Sequence, residues 1–308
     1  MNPRLLRMPR RHSLASSLLP LALVALVALV ALAGCSSDAS GGPDDDAAPT
    51  TPSVALAVDQ AVVDDAVAGY RAYVDDQIAT VLEETTAFAD AVRAGDVEQA
   101  QSLYPVSRRP WERIEPIAGI IPDFDAAVDV REDDFDSPQD PGFTGWHRVE
   151  YHLWVDGDLA AATPYADQLV ADLRDLDAAS ADLELQPQVL TVGAQELIEE
   201  VAAPSGKLSG EEDRYSGTDL YDFQANVEGS ETLVDLLDPA LQQADPDLAA
   251  SLADQFATLD AQLAELGSFR SGFVDYDEVT AEQREAFAAT LGQLAESLSL
   301  RNGTLGLA

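Results

Sequence analysis

Soft metal ligands are scarce in this chain of 308 residues, which has one cysteine, two methionines and three histidines. Met1, Met8, His12 and Cys35 all lie within the first 35 residues. A mature domain that starts after them keeps two imidazoles, His147 and His152, and has neither thiol nor thioether. Ligand count therefore excludes thiolate zinc sites, iron–sulfur clusters and His/Cys/Met copper sites, and a single cysteine excludes an intrachain disulfide. Any metal must be held mainly by oxygen with one or two imidazoles at most, which favours a hard cation.

Positive charge is also scarce. Lys and Arg total 17 against 56 Asp and Glu, a net charge of −39, and Lys207 is the sole lysine. Nucleic acid and anionic membrane surfaces would repel such a chain, whereas cations would be concentrated around it.

Four of the arginines, Arg4, Arg7, Arg10 and Arg11, precede the apolar run 18–33, which is the layout of an export signal. The run closes on Leu32, Ala33, Gly34 and Cys35, which resembles a bacterial lipobox. On that pattern residues 1–34 are a lipoprotein signal peptide and Cys35 becomes the lipidated first residue of an extracytoplasmic protein anchored to the cell membrane. Loss of the signal takes the net charge to −43, since the segment carries four arginines and no acidic residue. The Ser, Asp, Gly and Pro content of 36–52 cannot bury enough surface to fold, so 35–57 is expected to be the lipidated cysteine and a disordered tether. The folded domain is then 58–308.

Within that domain, Val63, Val67, Tyr70, Val74, Ile78, Val81, Leu82, Phe88 and Val92 recur at helical spacing, and Gly95 supplies a stop. Asp96 would cap a second helix running to about residue 117, with Pro105 and Pro110 bending or interrupting it. Residues 121–142 read as an irregular excursion, and a third helix begins near 144. Further amphipathic segments fall at 163–181, 187–202, 219–237, 245–266 and 280–298. Alternating strand patterns are nearly absent, so the expected fold is all-α, with about seven helices in two antiparallel helical bundles sharing a face.

Three clusters in the first half could carry chemistry. Glu112 and Glu115 stand three apart beside Trp111 and Ile114, Asp129 opens an acidic run flanked by valines, and His147 stands three before Glu150. Residues at i and i+3 share a helix face, and helical bundles build metal centres from inward-facing Glu and His at that spacing. Together these five residues would make an oxygen-rich site with one nitrogen. An alternative reading pairs the same carboxylates with Arg108, Arg109, Arg113, Arg131 and Arg148 in buried salt bridges. His152 lies five residues past His147, faces another side of the helix and reads as structural.

Five blocks in order, around Tyr104-Pro105, 111–117, 128–134, 145–154 and 210–229, resemble the imelysin-like domain of the EfeM/EfeO iron-uptake proteins over about 58–300. Its Gly-x-His-x-x-Glu motif is met by Gly145, His147 and Glu150. The resemblance implies a bilobal helical fold with a metal site in its cleft, and a short form without the cupredoxin domain. It implies an iron-binding component, with other divalent cations such as zinc as alternatives, that works beside an iron permease and a haem peroxidase. Metal ligands carry over to Glu112, Glu115, Asp129, His147 and, from the Gly210-Glu211-Glu212 block, Glu211, with Glu150 as ligand or as the group that orients His147. Capture and release need no covalent chemistry, so no enzymatic activity is expected. The rival readings are a cation-dependent binder of acidic polysaccharide and an imelysin-like metallopeptidase, the latter opposed by the lack of a His-Glu-x-x-His helix.

Overall fold

The computed structural model describes residues 58–203 and 206–307. The expected export segment, Cys35 and the tether up to residue 57 lie outside the described residues. The domain is built almost entirely of helices. α1 (Gln60–Ala94) is 35 residues long, about 52 Å at the rise of an α-helix. Its Asp59 cap accepts from Ala61 N, and Gly95 closes it at φ 72°. The chain reverses there, and the Asp96 side chain caps α2 (Val97–Ile114) through Gln99 N.

α2 stays helical across both prolines, so they do not interrupt it. Pro105 and Pro110 cannot donate to the carbonyls of Gln101 and Val106. Burial of Tyr104, Pro105, Ser107, Arg108, Pro110, Trp111 and Glu112 between α1 and α7 holds the helix through these gaps. After Ile114 the chain tightens into a 3₁₀ turn, Glu115–Ile120. The region expected to be irregular holds α3 (Pro122–Val128), whose first position is a proline.

α4 (Gly145–Tyr151) runs on as a π turn, His152–Asp156, and α5 (Leu159–Ala179) starts four residues ahead of the expected position, capped by Asp158. α6 (Pro187–Ala202), α7 (Asp219–Ala244), α8 (Pro246–Ala264), α9 (Ala281–Ser299) and the short α10 (Arg301–Leu305) complete the helices. α1, α2, α4 and α5 pack as one antiparallel bundle and α6 to α9 as a second. α7 lies against both α1 and α2, so the bundles share its face. A two-residue antiparallel ladder, Gly267–Ser268 with Gly272–Phe273, was not expected from the sequence, being too short to show a period.

Two close approaches fix the geometry around the shared face. A Cβ on Gly229 of α7 would lie 2.0 Å from the Arg113 carbonyl oxygen of α2. One on Gly145, which has φ +72°, would lie 2.0 Å from the Val128 carbonyl oxygen. Glycine at 145 thereby lets the start of α4 press on the end of α3, setting His147 beside Asp129.

Candidate metal centre

At the face where α2 meets α7, charged side chains converge that would ordinarily be solvated. Arg108 of α2 is fully buried. Its guanidinium lies 2.6 Å from Glu112, 2.5 Å from Asp129, 3.1 Å from Glu212, 3.2 Å from Asp222 and 3.5 Å from Asp213. The sole lysine, Lys207, is equally enclosed, with its ammonium against Glu112, 2.9 Å from Glu115 and 3.4 Å from Glu212. Asn226 of α7 donates to Glu112 Oε2 at 3.0 Å and Glu115 Oε2 at 2.7 Å.

His147 sits at the inner end of α4 with 2% exposure. Its two ring nitrogens face different groups. Nε2 lies 3.5 Å from Asp129 Oδ1 and 3.7 Å from Glu212 Oε1, and it finds no hydrogen-bond partner among the described residues. Nδ1 lies 3.3 Å from the Tyr104 hydroxyl and 3.5 Å from Glu150 Oε2. Glu150 is itself fixed, its Oε1 accepting from the backbone N–H groups of Tyr215 at 2.9 Å and Ser216 at 2.7 Å. The Trp111 indole donates to Asp129 Oδ2 at 2.8 Å.

Charge imbalance shows in the ionisation of these groups. Burial alone would raise Asp129, but the Arg108 guanidinium and the neighbouring His147 imidazole outweigh it and hold the carboxyl at about 2. Burial likewise works against ionised Glu212, yet Lys207, His147 and Arg108 keep it well below the usual carboxylate range. Burial wins at Glu150, at Asp222 despite Arg108, and at Glu115 despite Lys207, and all three are raised. For His147, burial and Arg108 oppose protonation, but the surrounding carboxylates of Asp129, Glu150 and Glu212 dominate and push the imidazole well above its ordinary value. Desolvation and the nearby Asp213 and Glu150 raise Tyr104, so its phenol stays protonated. A buried cluster with more carboxylates than cations takes up protons or another cation to relieve the repulsion.

Of the residues singled out by the sequence, the structure brings Glu112, Glu115, Asp129, His147 and Glu150 together. It does not bring Glu211. That side chain is exposed and pairs with Arg214 at 2.7 Å, while the adjacent Glu212 turns inward to Arg108, Lys207 and Arg131. Glu112 and Glu115 lie against Lys207 and Asn226 rather than against His147. His152 points elsewhere, bonded to Asp156 at 3.1 Å and stacked on Tyr165. Asp213 and Asp222 belong to the cluster without having been singled out, and Arg108 enters it in the salt-bridge role the sequence offered as an alternative. The signal for Asp222 and Asn226 was their spacing among Leu220, Phe223 and Val227 on the core face of α7. The metal and salt-bridge readings are thus not exclusive, because Arg108 pairs the same carboxylates that face His147.

Among the described residues, three sets of side chains could each close on an ion, with donor atoms within 4.8 Å of one another: Asp129, His147 and Glu212; His147, Glu150 and Asp213; Glu112, Glu212 and Asp222. The first alone offers a buried nitrogen without a partner. Its separations from the two carboxylate oxygens fall inside the roughly 4.2 Å spanned by two opposed bonds of about 2.1 Å. A cleft of about 780 Å³ borders the set at Asp129 and Glu212 and also reaches Glu115, with the exposed Glu196 and Glu200 of α6 on its wall. Asp125 in the same cleft is pushed up to about 7 by burial and by Asp129 and Glu200.

The imelysin (peptidase M75) family model matches residues 66–301. The chain belongs to that family. It is 46% identical over 243 residues to the iron uptake system component EfeO of Escherichia coli K12 and, equally, of Shigella flexneri. Each alignment covers 79% of this chain and 64% of the relative, so the chain spans just under two thirds of those proteins' length. The crystal structure of an imelysin-like protein from Psychrobacter arcticum superposes with a TM-score of 0.62 at 14% identity, covering 81% of this chain and 98% of that one. That likeness carries the bilobal helical fold of the imelysins.

Proposed function

We propose that this protein is the extracytoplasmic, lipid-anchored iron-binding component of an Efe-type uptake system, and that it hands the ion to a membrane permease beside a haem peroxidase. The observation that carries this reading is the buried His147 Nε2, without a partner among the described residues and facing Asp129 and Glu212, which line an acidic cleft. Similarity to EfeO supplies the identity of the cargo. The ion takes Asp129, His147 and Glu212 as its ligands. Glu112, Glu115, Asp213 and Asp222 set the surrounding negative charge, and Glu150 orients the imidazole.

Arg108 and Lys207 have a definite part in this scheme. Without them seven carboxylates would repel across the bundle face, and an empty site would part. Their fixed charges hold the oxygens in place, so the empty protein is already arranged for the ion and needs no large closure.

A metallopeptidase reading is disfavoured because the second imidazole, His152, is committed to Asp156 and Tyr165. A cleft walled by Glu196, Glu200 and Asp125 repels an acidic polymer. Calorimetric titration of the full chain with ferrous and ferric iron tests the reading. Micromolar or tighter binding in wild type and an affinity at least tenfold weaker in His147→Ala are expected. Equal affinities would refute it. Membrane anchoring is tested separately by Cys35→Ser, which is expected to release the protein from the membrane fraction without changing its iron affinity.

A further inference from the structure

Tyr104 of α2 is buried completely, and its hydroxyl lies within hydrogen-bonding reach of both Asp213 and His147. A phenol has one proton, and here it is given to Asp213 Oδ1 at 2.8 Å. Asp213 accepts at its other oxygen from the Thr218 hydroxyl. Both Asp213 oxygens therefore accept, and the proton between Tyr104 and Asp213 is the phenol's. The phenol oxygen is left to accept, and the atom facing it at 3.3 Å is His147 Nδ1. The other group near Nδ1 is the Glu150 carboxylate, held in place by two backbone N–H groups. Both neighbours of Nδ1 are acceptors.

We propose that Tyr104 is a positioning residue for the ion site, which through the relay Thr218, Asp213, Tyr104 fixes His147 as the Nδ1–H tautomer with its Nε2 lone pair aimed between Asp129 and Glu212. Tyr104 does not touch the ion. It selects which of the two carboxylate sets around the imidazole receives it, since a hydrogen on Nδ1 closes the face toward Glu150 and Asp213 and leaves Nε2 to coordinate. Packing alone does not require the hydroxyl. The Tyr104 ring contacts Phe88 and Trp154, with centroids 5.9 and 5.4 Å away, and phenylalanine would keep both contacts.

Tyr104 acts this way only if His147 is an ion ligand, as proposed above, and the test separates the two. The full chain is labelled with ¹⁵N-histidine and titrated with Zn²⁺, a diamagnetic probe. With three histidines in the chain, a His152→Gln sample assigns the spectrum. The expected wild-type pattern is metal-bound Nε2 and protonated Nδ1 at His147. In Tyr104→Phe the Nδ1–H resonance should broaden or shift and Zn²⁺ affinity should fall about 10–100-fold, with the circular dichroism unchanged. Thr218→Val, one step further along the relay, should move both readouts the same way by a smaller factor. Coordination through Nδ1, or a Tyr104→Phe spectrum and affinity identical to wild type, would overturn the role of Tyr104 while leaving His147 a ligand. No zinc-dependent change at His147 in wild type would overturn the ion site itself.

Discussion

Arg108 and His147 share the same two carboxylate oxygens. Asp129 Oδ1 lies 2.5 Å from the Arg108 guanidinium and 3.5 Å from His147 Nε2, and Glu212 Oε1 lies 3.1 Å and 3.7 Å from the same two groups. An ion bound by His147 therefore draws on oxygens already partly neutralised by Arg108. On the proposed function this moderates its affinity, as release of the ion would require.

Removing that guanidinium should separate stability from binding. Arg108→Gln leaves five buried carboxylates without their main counter-charge, and breaking a buried ion pair costs about 3–5 kcal/mol. The ion-free variant should melt well below wild type in differential scanning calorimetry. Saturating divalent cation should raise its Tm by more than it raises that of wild type, because the cation replaces the missing charge. A smaller rise in the variant would show that Arg108 is not competing for the ion's ligands.

Adjacent glutamates should differ sharply. Glu212→Gln removes a ligand and is expected to weaken iron binding at least tenfold, whereas Glu211→Gln breaks only an exposed pair with Arg214 and should leave the affinity unchanged. The titration that checks this also decides between Glu211, expected from the sequence, and Glu212, which faces His147 in the structure.

Proton competition is expected to centre on the histidine rather than on the carboxylates. Carboxylate partners raise His147 in the ion-free protein. The stability they contribute is full below the unfolded value of about 6.5 and is lost as pH rises through the higher folded one. Asp129, held at about 2, stays ionised throughout and its contribution fades only as pH falls toward that value. Ion binding needs the free Nε2, so affinity should rise with pH across neutrality by up to about tenfold per unit, with release of about one proton per ion. Calorimetry in two buffers of different ionisation enthalpy reads that proton directly.

Gly145→Ala should damage the site through the backbone. The new Cβ would meet the Val128 carbonyl at 2.0 Å in a left-handed conformation, so α4 must move away from α3. A loss of about 1–3 kcal/mol or more is expected, together with weaker iron binding as His147 leaves Asp129. Gly303→Ala, where nothing lies within 4 Å, serves as the control and should be neutral or slightly stabilising in the same melting assay.

What the sequence made legible follows the range of the interactions involved. His147 and Glu150 share a helix face by local geometry alone, and the long apolar stripe of α1 announces itself over 35 residues. Glu212 could not be told from Glu211, because 206–218 is mostly irregular and side-chain direction there depends on turns such as Gly210 at φ 78°. Arg108 carried a weak signal, four residues before Glu112 and between Tyr104 and Trp111. Its five carboxylate partners come from α2, the segment after α3, the loop before α7 and α7 itself, and only tertiary packing shows that convergence. The helix through Pro105 and Pro110 illustrates the same point, since packing against α1 and α7 overrides local propensity.

An anomalous difference map at the iron edge, from crystals of the protein loaded with iron, tests the ion site most directly. The expected result is one strong peak about 2.0–2.2 Å from His147 Nε2 and from oxygens of Asp129 and Glu212, with Nδ1 directed at Tyr104. A peak on the Nδ1 side between Glu150 and Asp213, or none within bonding distance of His147, would contradict it.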